Sequence, residues 1–142
     1  MFMPSRASLA GAAALLLAAA PLAQAKTVSI SGQFAAEGSA TSQPSGHVTG
    51  SFDTVTRKLT YKITYHGLSG PVKAAHFHGP AAPGQNAGVL LPIPGPYHTG
   101  MHGTLTANDA TTKALLAGQT YVNLHTAKYP MGEARAQISV GQ

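Results

Sequence analysis

The residues best suited to chemistry in this 142-residue chain are its seven histidines, since the sequence contains no cysteine. His76 and His78 stand two apart in an alternating segment, and side chains at positions i and i+2 of a β-strand point to the same face. Their imidazoles should therefore converge just before the turn formed by Gly79 and Pro80. Imidazole nitrogen is a favoured ligand of copper and zinc. The pair predicts a metal site on a β scaffold.

Other histidines are candidates to complete this site. His125 lies near the end of a second alternating segment and is the expected third ligand. His98 and His102 follow a long loop and compete for a fourth position. The remaining two, His47 and His66, have no spacing argument and stay unassigned. The alternative is that all of these are ordinary polar residues on a solvated face.

The type of metal follows from the donors that the chain lacks near the pair. The chain has four acidic residues, Glu37, Asp53, Asp109 and Glu133. None of them is close to the histidine pair in sequence, which disfavours calcium and magnesium. An all-imidazole site suits copper or zinc, and copper binds more tightly to a given set of nitrogen donors. Met101 and Met131 would assist cuprous copper, although a methionine beside a strand is more often part of the core.

The elements that must hold these residues are short alternating strands separated by glycine- and proline-rich turns. Strands are predicted over 28–34, 48–52, 59–65, 72–78, 100–105, 121–126 and 133–140. A long loop spans 79–96, and a short connecting helix over 110–117 is capped by Thr106 or Asn108 and ended by Gly118. This pattern predicts an all-β fold, an antiparallel Greek-key β-sandwich.

The first 25 residues are typical of a secretory signal peptide. Arg6 precedes an apolar run from Leu9 to Ala20, and the small-residue tripeptide that ends at Ala25 predicts cleavage there. The run is shorter than the ~20 residues of a membrane-spanning helix. Residues 26–142 then form one domain of a secreted or periplasmic protein, with no integral membrane segment.

Composition narrows the class of function further. The formal net charge is +5, but the basic residues are scattered rather than clustered, so nucleic-acid binding has little support. The sequence has no glycine-rich phosphate loop, no Gly-x-Ser-x-Gly elbow and no closely spaced acidic pair. Nucleotide-dependent, serine-hydrolase and glycosidase chemistries therefore lack their minimum parts.

Two segments resemble the CHRD (chordin-type) domain. One is His66-Gly67-Leu68 followed by the stretch 75–80, AHFHGP. The other is the stretch 121–126, YVNLHT, followed by 130–138, PMGEARAQI. The resemblance covers the chain from about Val28 onward. It implies an immunoglobulin-like β-sandwich in an extracellular protein, and it implies little about activity.

The order of a Gly-Leu turn, a His-x-His strand, a later histidine and a Gly-x-x-Arg strand is also similar, more weakly, to copper/zinc superoxide dismutase. On that resemblance the pair and His125 correspond to copper ligands, and His98 or His102 supplies another. Arg135 corresponds to the arginine that guides an anionic substrate. An ion pair with Glu133 is the simpler interpretation of Arg135. The dismutase cysteines and zinc-binding cluster have no counterpart, so the resemblance implies a copper-only relative.

Two hypotheses about function therefore stand. In the first, the chain is an exported copper-binding protein, with zinc as the alternative metal, that handles metal or removes superoxide. In the second, it is a non-enzymatic interaction module that offers its proline-rich loop and an edge strand to a protein partner, and its histidines are structural. The oligomeric state is left open.

Overall fold

The computed structural model describes residues 15, 17–20, 24 and 26–141, so the predicted cleavage after Ala25 and most of the predicted signal peptide lie outside the described residues. Within the described part, no helix is long and apolar enough to cross a membrane. The fold consists of eight strands and one helix. They are β1 Thr27–Ala36, β2 Ser45–Asp53, β3 Lys58–His66, β4 Val72–His78, β5 Val89–Ile93, β6 Met101–Thr106, α1 Asp109–Leu116, β7 Thr120–Thr126 and β8 Ala134–Val140.

The strands form one antiparallel sheet in the order β5-β4-β7-β8-β1-β2-β3-β6. The prediction of an all-β antiparallel fold with one short helix is confirmed. The finer prediction of an immunoglobulin-like or Greek-key sandwich is not, because β8 pairs with both β7 and β1 and thereby makes the hydrogen bonding continuous. The sheet curls into a nearly closed barrel whose two free edges are β5 and β6.

The inside of this curled sheet is the hydrophobic core. Tyr61 on β3 meets Phe77 on β4 edge to face, with ring centroids 6.0 Å apart, although their strands belong to opposite halves of the sheet. Burying a large apolar side chain contributes about 1.5–3 kcal/mol. Fully buried members drawn from five strands and the helix include Phe52, Leu59, Ile63, Phe77, Ile93, Leu115 and Leu124.

Helix α1 connects edge strand β6 to β7 on the other side of the sheet. Asn108 is its N-cap, and the side-chain oxygen of Asn108 accepts a hydrogen bond of 2.9 Å from the Thr111 amide. Ala114 and Leu115 bury the inner face of the helix, and Gly118 follows with a φ of 69°. The predicted helix is confirmed, one residue earlier at each end.

Candidate metal centre

Strand β4 points its histidines away from the core. Ala75 and Phe77 are 1% exposed and face inward. His76 and His78 alternate with them along the strand and are half-buried on the outer face. Strand β7 follows the same alternation, with Val122 and Leu124 inside. Because β4 and β7 are neighbours, the outer-facing residues of both strands share one surface.

The structure brings His76, His78 and His125 together as one group. Each offers a ring nitrogen, and these nitrogens lie within 4.8 Å of one another. Nδ1 of His76 is 3.2 Å from Nε2 of His125. Two nitrogens bound at 2.0–2.1 Å to a single ion, at angles of 90–109°, would be about 2.8–3.4 Å apart. This pair of atoms therefore already has the spacing of two ligands of one metal.

Backbone carbonyls fix how two of the rings present their nitrogens. Nδ1–H of His78 donates to the carbonyl of Ala87 at 3.0 Å, and Nδ1–H of His125 donates to the carbonyl of Pro130 at 2.9 Å. Each neutral ring then keeps its lone pair on Nε2, and in His125 this lone pair accepts a hydrogen bond from Nδ1–H of His76. Metal-binding histidines are commonly oriented in this way, by a hydrogen bond from the other ring nitrogen. Nε2 of His78 is buried and has no hydrogen-bond partner in the described structure.

The environment of the pair favours neutral imidazoles. Burial lowers the pKa of His76 below 6.5, and its neighbours His125 and His78 lower the pKa further. Burial also lowers the pKa of His78, and this effect exceeds the opposing effect of the hydrogen bond to Ala87. A neutral imidazole is the form that binds metal. At neutral pH His76 and His78 are therefore in the form that a metal ion binds.

Arg135 does not pair with Glu133. Its Nη1 donates to the carbonyl of Gln85 at 2.5 Å and its Nη2 to the carbonyl of Ala82 at 3.1 Å. The guanidinium carbon lies 3.6 Å from the centre of the Tyr121 ring, and that ring also stacks on His78, with centroids 4.9 Å apart and an angle of 4° between the rings. Arg135 thus links the loop that contains Ala82 and Gln85 to the Tyr121 ring beside His78.

Glu133 is fully buried, and hydroxyl and amide donors surround its carboxylate. Its two-residue spacing from Arg135 had indicated an exposed ion pair instead. Its Oε1 accepts from Ser69 Oγ and Thr126 Oγ1 at 2.5 and 2.6 Å, and its Oε2 accepts from Ser42 Oγ and the Ser69 amide at 2.8 and 2.7 Å. Burial raises the pKa of Glu133, but these hydrogen bonds outweigh it and the net pKa lies below 4.5. The buried side chain is therefore a carboxylate at neutral pH.

The other predicted ligands lie elsewhere. His98 and His102 are exposed, and they line a second pocket with Tyr61, Met101 and Gly103 that shares no residue with the pocket beside His78 and His125. The structure thus does not place either of them in the three-histidine group. Of the two methionines, Met101 is buried in the core, and Met131 is 88% exposed at the rim of the His78–His125 pocket.

That pocket, hereafter the histidine pocket, has a volume of about 500 Å³ and includes residues that the sequence did not single out. Glu37 directly follows strand β1, and its amide donates a hydrogen bond to the carbonyl of Glu133. This hydrogen bond holds Glu37 at the wall of the histidine pocket. Asn123 and Tyr121 line it from β7, where the alternation of the strand places them on the same face as His125. Lys128 contributes a cation at its edge.

Comparison with known proteins gives one match. The family model of the CHRD domain covers residues 20–138. No curated protein and no solved structure matches the chain. Since the matched stretch includes seven strands in full, most of β8, the helix and all three clustered histidines, the chain belongs to the CHRD domain family.

Proposed function

We propose that this CHRD domain is an exported protein that binds one transition-metal ion through His76, His78 and His125. The observation that carries the proposal is the state of His78. Its Nδ1–H is committed to the Ala87 carbonyl, so the buried Nε2 is left with a lone pair and no partner in the described structure. A buried acceptor without a partner costs free energy, and a bound metal ion would remove that cost.

Copper is the metal that we propose first, with zinc as the alternative. The group consists of imidazoles alone, and cupric copper binds such donors more tightly than the other first-row divalent ions. Calcium and magnesium require several oxygen ligands, which the group does not offer. Met131, at the pocket rim, is a soft donor suited to cuprous copper.

The test is metal uptake by the purified mature domain. We expect about one Cu(II) per chain, with nitrogen hyperfine structure in the electron paramagnetic resonance (EPR) spectrum. The double variant His76→Ala/His78→Ala should lose uptake, because it removes two of the three donors. The matched control is His98→Ala/His102→Ala, which deletes two histidines outside the group and should bind as the parent does. Equal uptake by both double variants would refute the assignment.

Export is the second part of the proposal, supported by the N-terminal sequence. The purified extracytoplasmic protein should begin at Lys26, as read by N-terminal sequencing or intact mass. A chain that retains its first 25 residues in the cytoplasm would contradict it.

Removal of superoxide is a narrower proposal that requires bound copper to change its oxidation state. The resemblance to superoxide dismutase implies that Arg135 attracts the anion, yet three of the five guanidinium N–H groups already donate to Gln85, Ala82 and Gln137. This geometry favours a positioning role for Arg135 over anion guidance. If the copper-loaded domain removes superoxide no faster than its His76→Ala/His78→Ala variant, the dismutase proposal fails.

An interaction module remains the second candidate, supported by the free edges of β5 and β6, since unpaired strand edges accept an added strand. In this case the histidines are structural, and a chelator should leave the melting temperature of the protein, purified without chelators, unchanged. Metal binding to the folded state predicts a lower melting temperature after chelation.

A further inference from the structure

We infer that Glu133 and Thr126 are positioning residues for His125. Through the Thr126 hydroxyl, the buried carboxylate of Glu133 holds residues 126–133, hereafter the 126–133 turn, and the Pro130 carbonyl in this turn fixes the tautomer of the His125 ring. The inference rests on the proposed metal site and deepens it, because it gives the buried carboxylate a role in presenting one of the three ligands.

The tautomer of His125 is set by a single contact. Nδ1 of His125 lies 2.9 Å from the carbonyl oxygen of Pro130, and a carbonyl oxygen can only accept a hydrogen bond. The ring proton is therefore on Nδ1 and the lone pair on Nε2. Nε2 is the nitrogen that lies 3.2 Å from Nδ1 of His76, within the three-histidine group. A proton on Nε2 instead would remove His125 from the set of metal-binding nitrogens.

The position of the Pro130 carbonyl depends on Tyr129, the residue before it. The Thr126 amide donates to the Tyr129 carbonyl at 3.3 Å, and the Tyr129 amide donates to Thr126 Oγ1, also at 3.3 Å. The Gly132 amide donates to the same Tyr129 carbonyl at 3.0 Å. Both bonds to Thr126 are longer than is usual for N–H···O bonds, so the turn is sensitive to how the Thr126 hydroxyl is held.

Glu133 holds that hydroxyl. Thr126 Oγ1 donates to Oε1 of Glu133 at 2.6 Å, the short distance expected for a hydrogen bond to a charged acceptor. With its hydrogen directed to the carboxylate, Oγ1 presents its lone pairs to the Tyr129 amide. The Glu133 amide also donates to the carbonyl of Leu124 at 2.8 Å. Glu133 therefore binds both residues that flank His125 in the chain.

Other groups hold the two ends of this path from outside the turn. Ser42 and Ser69 donate to the Glu133 carboxylate, and Thr41 contacts the Tyr129 hydroxyl at 3.2 Å. The contact with Thr41 is exposed, so water competes for it. Glu133 and Thr126 are 0% and 1% exposed, so water does not compete for the bond between them. The buried bond is therefore the one on which the geometry of the turn chiefly depends.

The first experiment measures the His125 tautomer in the metal-free protein at pH 8, by ¹⁵N NMR of the histidine rings. The His125 signals are those missing from His125→Ala. Thr126→Val keeps the side-chain shape but deletes the hydroxyl. We expect the ratio of the Nδ1–H form to the Nε2–H form to fall about 3- to 10-fold, the effect of one hydrogen bond. Thr126→Ser keeps the hydroxyl and should retain the wild-type ratio.

The matched control for the carboxylate is Ser42→Ala. It removes a hydrogen bond to Oε2 of Glu133 but leaves the bond between Thr126 and Oε1, so the wild-type ratio should persist. A wild-type ratio in Thr126→Val would overturn the inference. An equal fall in Thr126→Val, Thr126→Ser and Ser42→Ala would also overturn it, because the tautomer would then follow general loosening of the fold.

The second experiment tests Glu133 itself. In Glu133→Gln the side chain loses one of its two acceptor oxygens and its charge, so the ratio should fall in the same direction as in Thr126→Val. An unchanged ratio would exclude a role for Glu133. Neither experiment uses a metal, so its failure is distinct from failure of the proposed metal site, which is tested by uptake of Cu(II).

Discussion

Replacing Glu133 with glutamine should destabilise the domain by about 2–4 kcal/mol. The carboxylate accepts four hydrogen bonds from Ser42, Ser69 and Thr126, and an amide has one oxygen to offer in place of two. Two bonds to a charged group are lost, at about 1.5–3 kcal/mol each. Part of this loss is offset because the variant no longer buries a charge and because hydroxyl groups can turn to accept from the new amide.

Thermal and urea unfolding of the metal-free protein would measure this loss. At roughly 4 °C per kcal/mol for a domain of this size, Glu133→Gln should melt about 8–16 °C below the wild type. The control Glu37→Gln alters a carboxylate on the wall of the histidine pocket and should shift the melting temperature by less than about 2 °C. A Glu133→Gln protein as stable as the control would refute our account of the buried carboxylate.

The effect should also depend on pH in a defined direction. Burial raises the pKa of Glu133, but the hydrogen bonds from Ser69, Thr126 and Ser42 lower it by more, so the folded-state pKa lies below the ordinary value of 4.5. The stabilisation is therefore fully present above about pH 4.5 and is lost as the pH falls through the lower folded pKa. The stability difference between wild type and Glu133→Gln should narrow between pH 7 and pH 3.

Three further predictions concern the site and the core. Arg135→Lys loses the flat guanidinium that stacks on Tyr121 and the paired donors that bind Gln85 and Ala82. Cu(II) affinity should therefore fall about 3- to 30-fold, and the EPR parameters should change. An unchanged EPR spectrum would exclude a positioning role for Arg135. Cu(II) affinity should be nearly constant from pH 8 to about 6.5 and fall in acid, because protons compete for His76 and His78, whose pKa values are lowered chiefly by burial. A titration series would contradict this if affinity were already falling between pH 8 and 7. Phe77→Ala should cost about 3–5 kcal/mol in urea unfolding, and a loss below about 1 kcal/mol would mean that the inner face is not close-packed there.

Period-two patterning made much of the fold predictable. Alternation placed the strands that carry His76, His78 and His125, and the two-residue spacing predicted that His76 and His78 share one face. Asn108 and Gly118 marked the helix because capping chemistry is local in sequence. Strand β5 was missed, since Pro92 and the many nearby turn residues made its segment look irregular.

The parts that escaped prediction depend on contacts distant in sequence. Local alternation does not reveal that β8 pairs with both β7 and β1, so the continuous sheet could not be read from the chain. Two-residue spacing favoured an ion pair between Glu133 and Arg135, but Glu133 precedes β8 and turns toward Ser42 and Ser69 instead. Proximity of Glu37 to the histidines likewise required the pairing of β1 with β8.

The three histidines stand on the solvent side of strands whose opposite side fills the barrel interior. Removing an imidazole there opens no cavity among apolar side chains, so the ligand set is separable from the determinants of folding. The scaffold should therefore tolerate exchange of these residues for other donors, such as aspartate or cysteine, and retain its architecture while its preference among metals changes.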